Sequence, residues 1–390
     1  MTALCAGLLL SGCLAHHTGA IPGEPTDSSY VQLPDARVRY ELRGEGPPVV
    51  FLHGFMGTLD HWEDVVPAVV AAGHRTVALD LKGFGWTDRP QGEYSPQAQA
   101  QLVFALLDHL GIERATVVAH SWGSSVALSM AVAEPARVER LVLVDAGAYA
   151  ELFPSFWNWA DVPGLGELLV ALFHDQNWEH KATAPYYDVD RLTVEHVERV
   201  EASVRRPGAK AGALAAIRGM QAGYHRLEPH YGKLQQPTLI AWGREDRVTP
   251  LSHGERLAGE LPNARLRVYP RCGHFPMREA LPAFTRDLLA FLAEESGAES
   301  GSVSAPASGA ASESASVAAA ESGSVSASAP APESASGAAP ASGSASASAS
   351  ESASESESAS EPESESEPAS VPESVPASAS ESAVSGRVVP

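Results

Sequence analysis

Val117-Val118-Ala119-His120-Ser121-Trp122-Gly123-Ser124 is the stretch on which the reading of the fold turns. An apolar run stops at a serine, and a helix-forming segment, Trp122 to Ala133, begins directly after it. A short, continuously apolar run suits a strand buried on both faces of a sheet. A serine hydroxyl attacks carbon poorly unless a base takes its proton and donors hold the oxyanion that forms. A sharp strand-to-helix turn lifts Oγ clear of the sheet and aims the first helical N–H groups at that oxyanion. Small residues two before and two after the serine let such a turn close. Here they are Ala119 and Gly123, so the usual G-x-S-x-G reads A-x-S-x-G. Taken alone, the segment fits an ordinary βα turn with a surface serine equally well.

Outward from this turn, strands and helices alternate. Val38, Tyr40 and Leu42 alternate with charged residues in Arg37 to Arg43, which predicts a strand with one wet face. Val49 to Leu52, Thr76 to Leu79, Ala115 to Ala119, Val138 to Val144, Pro237 to Trp242 and Arg265 to Tyr269 read as further strands. Helices are expected over Trp62 to Ala72, Pro96 to Leu110, Trp122 to Ala133, Ser252 to Glu260 and Arg278 to Glu294. Such alternation means βαβ units, a mostly parallel sheet and right-handed crossovers that place helices on both faces. The rhythm breaks after Gly147. Residues 148–232 hold Tyr149, Phe153, Phe156, Trp157, Trp159, Phe173, Trp178, Tyr186 and Tyr187, then helical stretches over Thr193 to Val204 and Lys210 to Gly223. This predicts a mostly helical cap between a first core part, 29–147, and a second, 233–295.

The two ends differ from the middle. From Ser296 to the end Ser, Ala, Glu, Pro and Gly account for nearly all of the chain, with no aromatic residue, a composition that cannot bury enough apolar surface to order itself. Residues 296–390 are therefore expected to be a disordered, solvated spacer. Thirteen Glu and one Arg put −12 of the net charge of −21 there and leave −9 on the rest. No basic stripe exists, which argues against a nucleic-acid partner. At the other end, Leu10-Ser11-Gly12-Cys13 resembles a bacterial lipobox, whose cysteine is lipidated and becomes the new amino terminus. That resemblance implies a lipid anchor at Cys13, a location in the cell envelope, and a linker up to residue 28. The apolar stretch is short for a signal peptide and no Lys or Arg precedes it, so a cytoplasmic protein is the alternative. A start lying further upstream would account for both departures. No other segment approaches a membrane span. With Cys5 removed and Cys13 lipidated, Cys272 would stand alone and no internal disulfide could form.

Four groups of polar residues follow predicted strands, at the sheet edge where open α/β sheets bind ligands. They are His53-Gly54-Phe55, Asp80 to Pro90, the serine turn, and the pair Trp242 to Pro250 and Cys272 to Pro276. Together they resemble the α/β-hydrolase superfamily over essentially residues 30 to 294. The resemblance implies a triad in the chain order Ser121, Asp246, His274, with alanine tolerated at position 119. It also implies an oxyanion hole from the backbone N–H groups of Phe55 and Trp122, and no metal or organic cofactor. Asp145 also ends a strand and is the alternative acid. Ser124, Ser125 and Ser129 lie inside the helix and are directed elsewhere. His53 and His120 are expected to hold loops, Cys272 to be a packed small residue, and the Asp80 turn to be structural; it lacks the Lys-Ser/Thr ending of a phosphate-binding loop.

The serine argues against the aspartate-nucleophile branches, epoxide hydrolases and haloalkane dehalogenases. The expected activity is hydrolysis of a carboxylic ester of a small or medium, partly apolar molecule through an acyl-enzyme. Alternatives are hydrolysis of a carbon–carbon bond in a diketone, a perhydrolase, and a prolyl-aminopeptidase-like enzyme, which would need an acid among Glu151, Asp161, Glu167 and Asp175 to hold a substrate amine. A surface-tethered binding module with a vestigial triad is the alternative outside enzymology. Oligomeric state has no signal in the sequence.

Overall fold

The computed structural model describes residues 14–152, 155–174, 176 and 182–294. Eight strands form one sheet: β1 (Ser29–Gln32), β2 (Arg37–Arg43), β3 (Pro48–Leu52), β4 (Arg75–Leu79), β5 (Ala115–His120), β6 (Val138–Val144), β7 (Thr238–Gly243) and β8 (Ala264–Tyr269). Their order is β1-β2-β4-β3-β5-β6-β7-β8. The pairs β1–β2 and β2–β4 are antiparallel, and every pair from β4–β3 to β7–β8 is parallel.

The apolar runs behave as strands buried on both faces. Val50, Leu52, Val117, Ala119, Leu141 and Leu143 enter one apolar cluster; Val49, Phe51, Val118, Val142 and Val144 enter the other. This is the period-two alternation of a pleated strand with hydrophobic partners on each side. Helices α2 (Pro96–His109) and α3 (Trp122–Ala133), with Leu257 of α7 (Leu251–Glu260), cover the first face. Val66 and Val69 of α1 (Val66–Ala71) and Phe284, Leu288 and Phe291 of α9 (Leu281–Leu292) cover the second. The result is an α/β-hydrolase fold with helices on both faces.

Between β6 and β7, which are neighbours in the sheet, the chain leaves it through α4 (Leu165–Phe173), α5 (Val194–Val204) and α6 (Ala209–Leu227). Two sequence expectations need correction elsewhere in the chain. The helix expected over Trp62 to Ala72 is a 3-10 turn, Leu59–Trp62, followed by the shorter α1; Pro67 sits in the first turn of α1, where its missing N–H costs nothing. The helix expected from Arg278 begins two residues earlier as α8 (Pro276–Glu279) and restarts as α9.

The part of the expected linker that is described, residues 14–28, is fastened to the fold. His17 and Arg89 exchange backbone hydrogen bonds of 3.0 and 2.7 Å. Gly19 N donates to Asp88 Oδ1 at 2.8 Å, and Arg37 holds Glu24 through two 2.8 Å bonds. Cys13 and the tail 296–390 lie outside the described residues. No helix among the described residues is long and apolar enough to cross a membrane.

Candidate active site

Ser121 sits between β5 and α3 with φ 50° and ψ −122°, a left-handed backbone that a side chain adopts only under constraint. Three bonds hold it there. Its N–H donates to Val144 O at 2.8 Å, and its carbonyl accepts from Ser124 N and Gly147 N, each at 2.9 Å. Gly123 is required by close approach: a Cβ there would come 2.5 Å from His53 O and 2.9 Å from Leu52 O. Helix α3 thus starts against the end of β3, which puts Trp122 N–H, unpaired by the helix itself, beside the serine. Ser124, Ser125 and Ser129 bond backbone carbonyls of Ala119, Trp122 and Ser125, so none competes with Ser121.

His274 Nδ1 donates to Asp246 Oδ2 at 2.7 Å, with both side chains buried. The loop after β7 builds the rest of this carboxylate's surroundings. Val248 N and Thr249 N reach Oδ1 at 2.7 and 3.1 Å, and Thr249 Oγ1 reaches Oδ2 at 2.6 Å. Burial alone would raise the Asp246 pKa, but His274 and these donors outweigh it and hold the carboxyl below its usual range. Asp145, the alternative acid, receives no bond from His274. Its Oδ1 accepts from Gly243 N at 2.9 Å. Burial, then the Asp246 charge, push its pKa well above that of an ordinary carboxyl.

His53 and His120, the histidines that flank the site in the sequence, hold loops. Leu81 N donates to His53 Nε2 at 2.9 Å, which places the His53 proton on Nδ1, where it bonds Gly54 O at 2.7 Å. His120 Nε2 donates to His274 O at 2.7 Å, so the serine turn and the His274 loop are tied directly. Burial keeps both imidazoles below their ordinary pKa and neutral. Asp80 closes its own loop by accepting from Leu59 N and Trp86 N at 2.7 and 2.8 Å. Cys272 is buried and free, and burial pushes its thiol pKa up, as expected of a packed residue.

Two participants had no sequence signal. Thr249 is one of several loop threonines until the fold sets it on Asp246. Glu279 accepts from Gly273 N at 3.0 Å and from Tyr187 N at 2.8 Å, bridging the His274 loop to the segment before α5. His274 N also donates to Pro185 O at 2.8 Å, and Tyr186 stacks on Phe275 with ring centroids 4.5 Å apart.

Ser121, His274, Phe55 and Trp122 open onto one cavity of about 830 Å³. Its walls are mostly apolar, with Trp159, Leu169, Val170 and Phe173 contributed from the segment between β6 and β7. Among the described lining residues Arg247 is the one guanidinium, and no aspartate or glutamate lines it. Of the four acids considered for an amine substrate, Glu151 pairs with Arg256 and Glu167 with Arg218; Asp161 does not reach the cavity wall and Asp175 lies outside the described residues.

Comparison with known proteins agrees with this architecture. The family described as "alpha/beta hydrolase fold" matches residues 47–280. A 2-hydroxy-6-oxononadienedioate/2-hydroxy-6-oxononatrienedioate hydrolase of Comamonas testosteroni is 31% identical over 284 residues, covering 69% of this chain and 98% of that one. A 2-hydroxymuconate semialdehyde hydrolase of Pseudomonas putida is 32% identical over 282 residues, covering 68% and 93%. Among solved structures, a meta-cleavage product hydrolase from Pseudomonas fluorescens IP01 superposes with a TM-score of 0.55 at 28% identity, covering 68% of this chain and 97% of that one. The chain therefore belongs to the α/β-hydrolase fold family and is a hydrolase.

Proposed function

We propose that Ser121, His274 and Asp246 are a working triad that hydrolyses a small-molecule carbonyl compound, and that the bond broken is a carbon–carbon bond of a vinylogous diketo acid. The observation that carries the triad is the buried 2.7 Å bond between His274 and Asp246, opening with the strained Ser121 on one cavity. What favours the carbon–carbon bond over the ester expected first is likeness to the hydrolases named above, whose lengths this chain matches almost end to end.

His274 takes the Ser121 proton as Oγ attacks the keto carbon, and Asp246 stabilises the imidazolium. The N–H groups of Phe55 and Trp122 hold the oxyanion. The carbon–carbon bond then breaks, leaving the acyl group on Ser121. Its electron pair enters the conjugated second carbonyl as an enolate, which His274 protonates. One water, deprotonated by His274, releases the carboxylic acid. The apolar wall keeps bulk water from competing and takes the apolar end of the substrate; Arg247 offers charge to the carboxylate end.

A second reading, ester hydrolysis, draws on the same apolar wall and differs only in its alkoxide leaving group. The aminopeptidase reading finds no acid on the wall among the described residues. A panel of aryl esters, proline arylamides and vinylogous diketo acids ranks the three by kcat/KM. Ser121→Ala is expected to lower kcat on the preferred substrate by at least about 10,000-fold. Unchanged turnover in Ser121→Ala overturns the triad; a wild type that turns over none of the panel and is not labelled by a fluorophosphonate is a binding module. The anchor at Cys13 has its own test: Cys13→Ser should release the protein from the membrane fraction, and wild-type protein that already fractionates as soluble overturns it.

A further inference from the structure

Beside the triad lies a second buried carboxyl that the mechanism does not use. We propose that Asp145 is a protonated acid that donates a hydrogen bond to the Asp246 carboxylate, acting as a positioning residue for the acid that orients His274. The proposal rests on the triad reading.

The geometry leaves little choice. Asp145 is 0% exposed and stands at the end of β6 with φ 43°, a left-handed backbone that only surrounding bonds sustain. Its N–H donates to Ala241 O at 2.9 Å, and its carbonyl oxygen lies 3.2 Å from Thr249 Oγ1. Carboxyl oxygens of Asp145 and Asp246 and a ring nitrogen of His274 all lie within 4.8 Å of one another. Two carboxylates this close in a dry interior cannot both be charged. Asp246 has four donors around it and Asp145 has one, so the proton belongs on Asp145. Asp145 Oδ1 is taken by Gly243 N, and Oδ2 is buried with no donor partner. A proton on Oδ2 pairs that atom with the neighbouring carboxylate.

The other ionisable groups around Asp145 fit this state. Asp246 and Glu245 come from the loop after β7; Cys272, His274 and Glu279 come from the segment after β8. All but His274 are neutral or acidic, and among the described residues no arginine or lysine is a main influence on Asp145. Burial and the Asp246 charge favour the neutral form in the same sense. A neutral donor strengthens Asp246 as a carboxylate while adding no second charge to pull on the imidazolium. The two acids thus divide the work, one charged toward His274 and one neutral behind it.

Asp145→Asn keeps a donor toward Asp246 and an acceptor for Gly243 N; Asp145→Ala keeps neither. The expected result is kcat within about threefold of wild type for Asn and a loss of roughly 10- to 100-fold for Ala, with little change in KM. The kcat/KM pH profile of the Ala variant should also move its acid limb upward, because Asp246 loses a donor to its charged form. Equal losses in both variants overturn the positioning role. A second measurement does not need activity. A neutral Asp145 in the fold is ionised in the unfolded chain above about pH 4, so it costs wild type stability as pH rises. The urea midpoint of Asp145→Asn should therefore climb relative to wild type from about pH 4 to pH 7, and a flat difference overturns the protonated state. Failure of Ser121→Ala to abolish turnover strikes the triad reading and leaves this stability result standing.

Discussion

Asp246 stays charged inside the protein because four donors surround its oxygens: His274, Thr249 twice, and Val248. Such a carboxylate holds the neighbouring imidazole in one tautomer, with Nδ1–H toward the acid and Nε2 free to serve as base. Asp246→Asn should lower kcat by about 10,000-fold with a small change in KM, read by steady-state kinetics on the preferred substrate. Near-normal turnover would hand the acid role to Asp145. Gly123 sets a different limit. Gly123→Ala places a methyl against His53 O and Leu52 O, where backbone cannot yield cheaply. It should destabilise the fold by about 1–3 kcal/mol, measured by urea unfolding, and displace Trp122 N–H from the serine. Ala119, by contrast, is packed with no exposed surface and tolerates its methyl; only the second small residue of the turn is strictly small.

The loop after β8 depends on elements far away in sequence. Glu279 of α8 gathers Gly273 N, Phe275 N, Tyr187 N and Asp188 N, so one side chain joins the His274 loop to the segment before α5. Glu279→Ala leaves these N–H groups without their acceptor. Amide exchange at Gly273 and Tyr187 should quicken by at least about tenfold, and KM should rise while Ser121 remains labelled by a fluorophosphonate. Unchanged exchange rates at both amides would count against the bridge. The same contrast explains what the sequence disclosed. Strands β3 to β7 were legible because burial on both faces leaves a continuous apolar run, and Ser121 and Asp246 because each follows such a strand; His274 follows the partly exposed edge strand β8 and was legible from its place in the chain order of the triad. Strand β1 was not, since Ser29–Gln32 is short, partly exposed and at the edge of the sheet. Glu279 and Thr249 were not, since their partners are supplied by chain folding and not by spacing. In the segment between β6 and β7 the aromatic residues divide in a way no pattern foretells: Tyr149 enters the core, Trp159 and Phe173 line the cavity yet stay half exposed, and Tyr186 stacks on Phe275.

The whole chain is strongly acidic, and the charge is unevenly spread. Residues after Ser296 carry −12 of the −21, while Ser121, Asp246, His274 and their hydrogen-bond partners all lie between residues 53 and 279. A dienoate is an anion and must approach against this field; a neutral aryl ester need not. Raising ionic strength from about 10 mM to about 150 mM shortens the screening length from about 30 Å to about 8 Å. The kcat/KM for an anionic diketo acid should therefore rise over that range, while that for a neutral ester stays level. Removing residues 296–390 should flatten the salt dependence, because most of the repelling charge goes with them. It should leave the melting temperature in place, because a Ser, Ala, Glu and Pro segment without aromatic residues has almost nothing to add to a core. Rates on the anionic substrate that fall with salt would place a net positive potential at the cavity mouth, with Arg247 outweighing the acidic surface. A truncated protein that melts lower would instead give the tail a structural part that its composition denies.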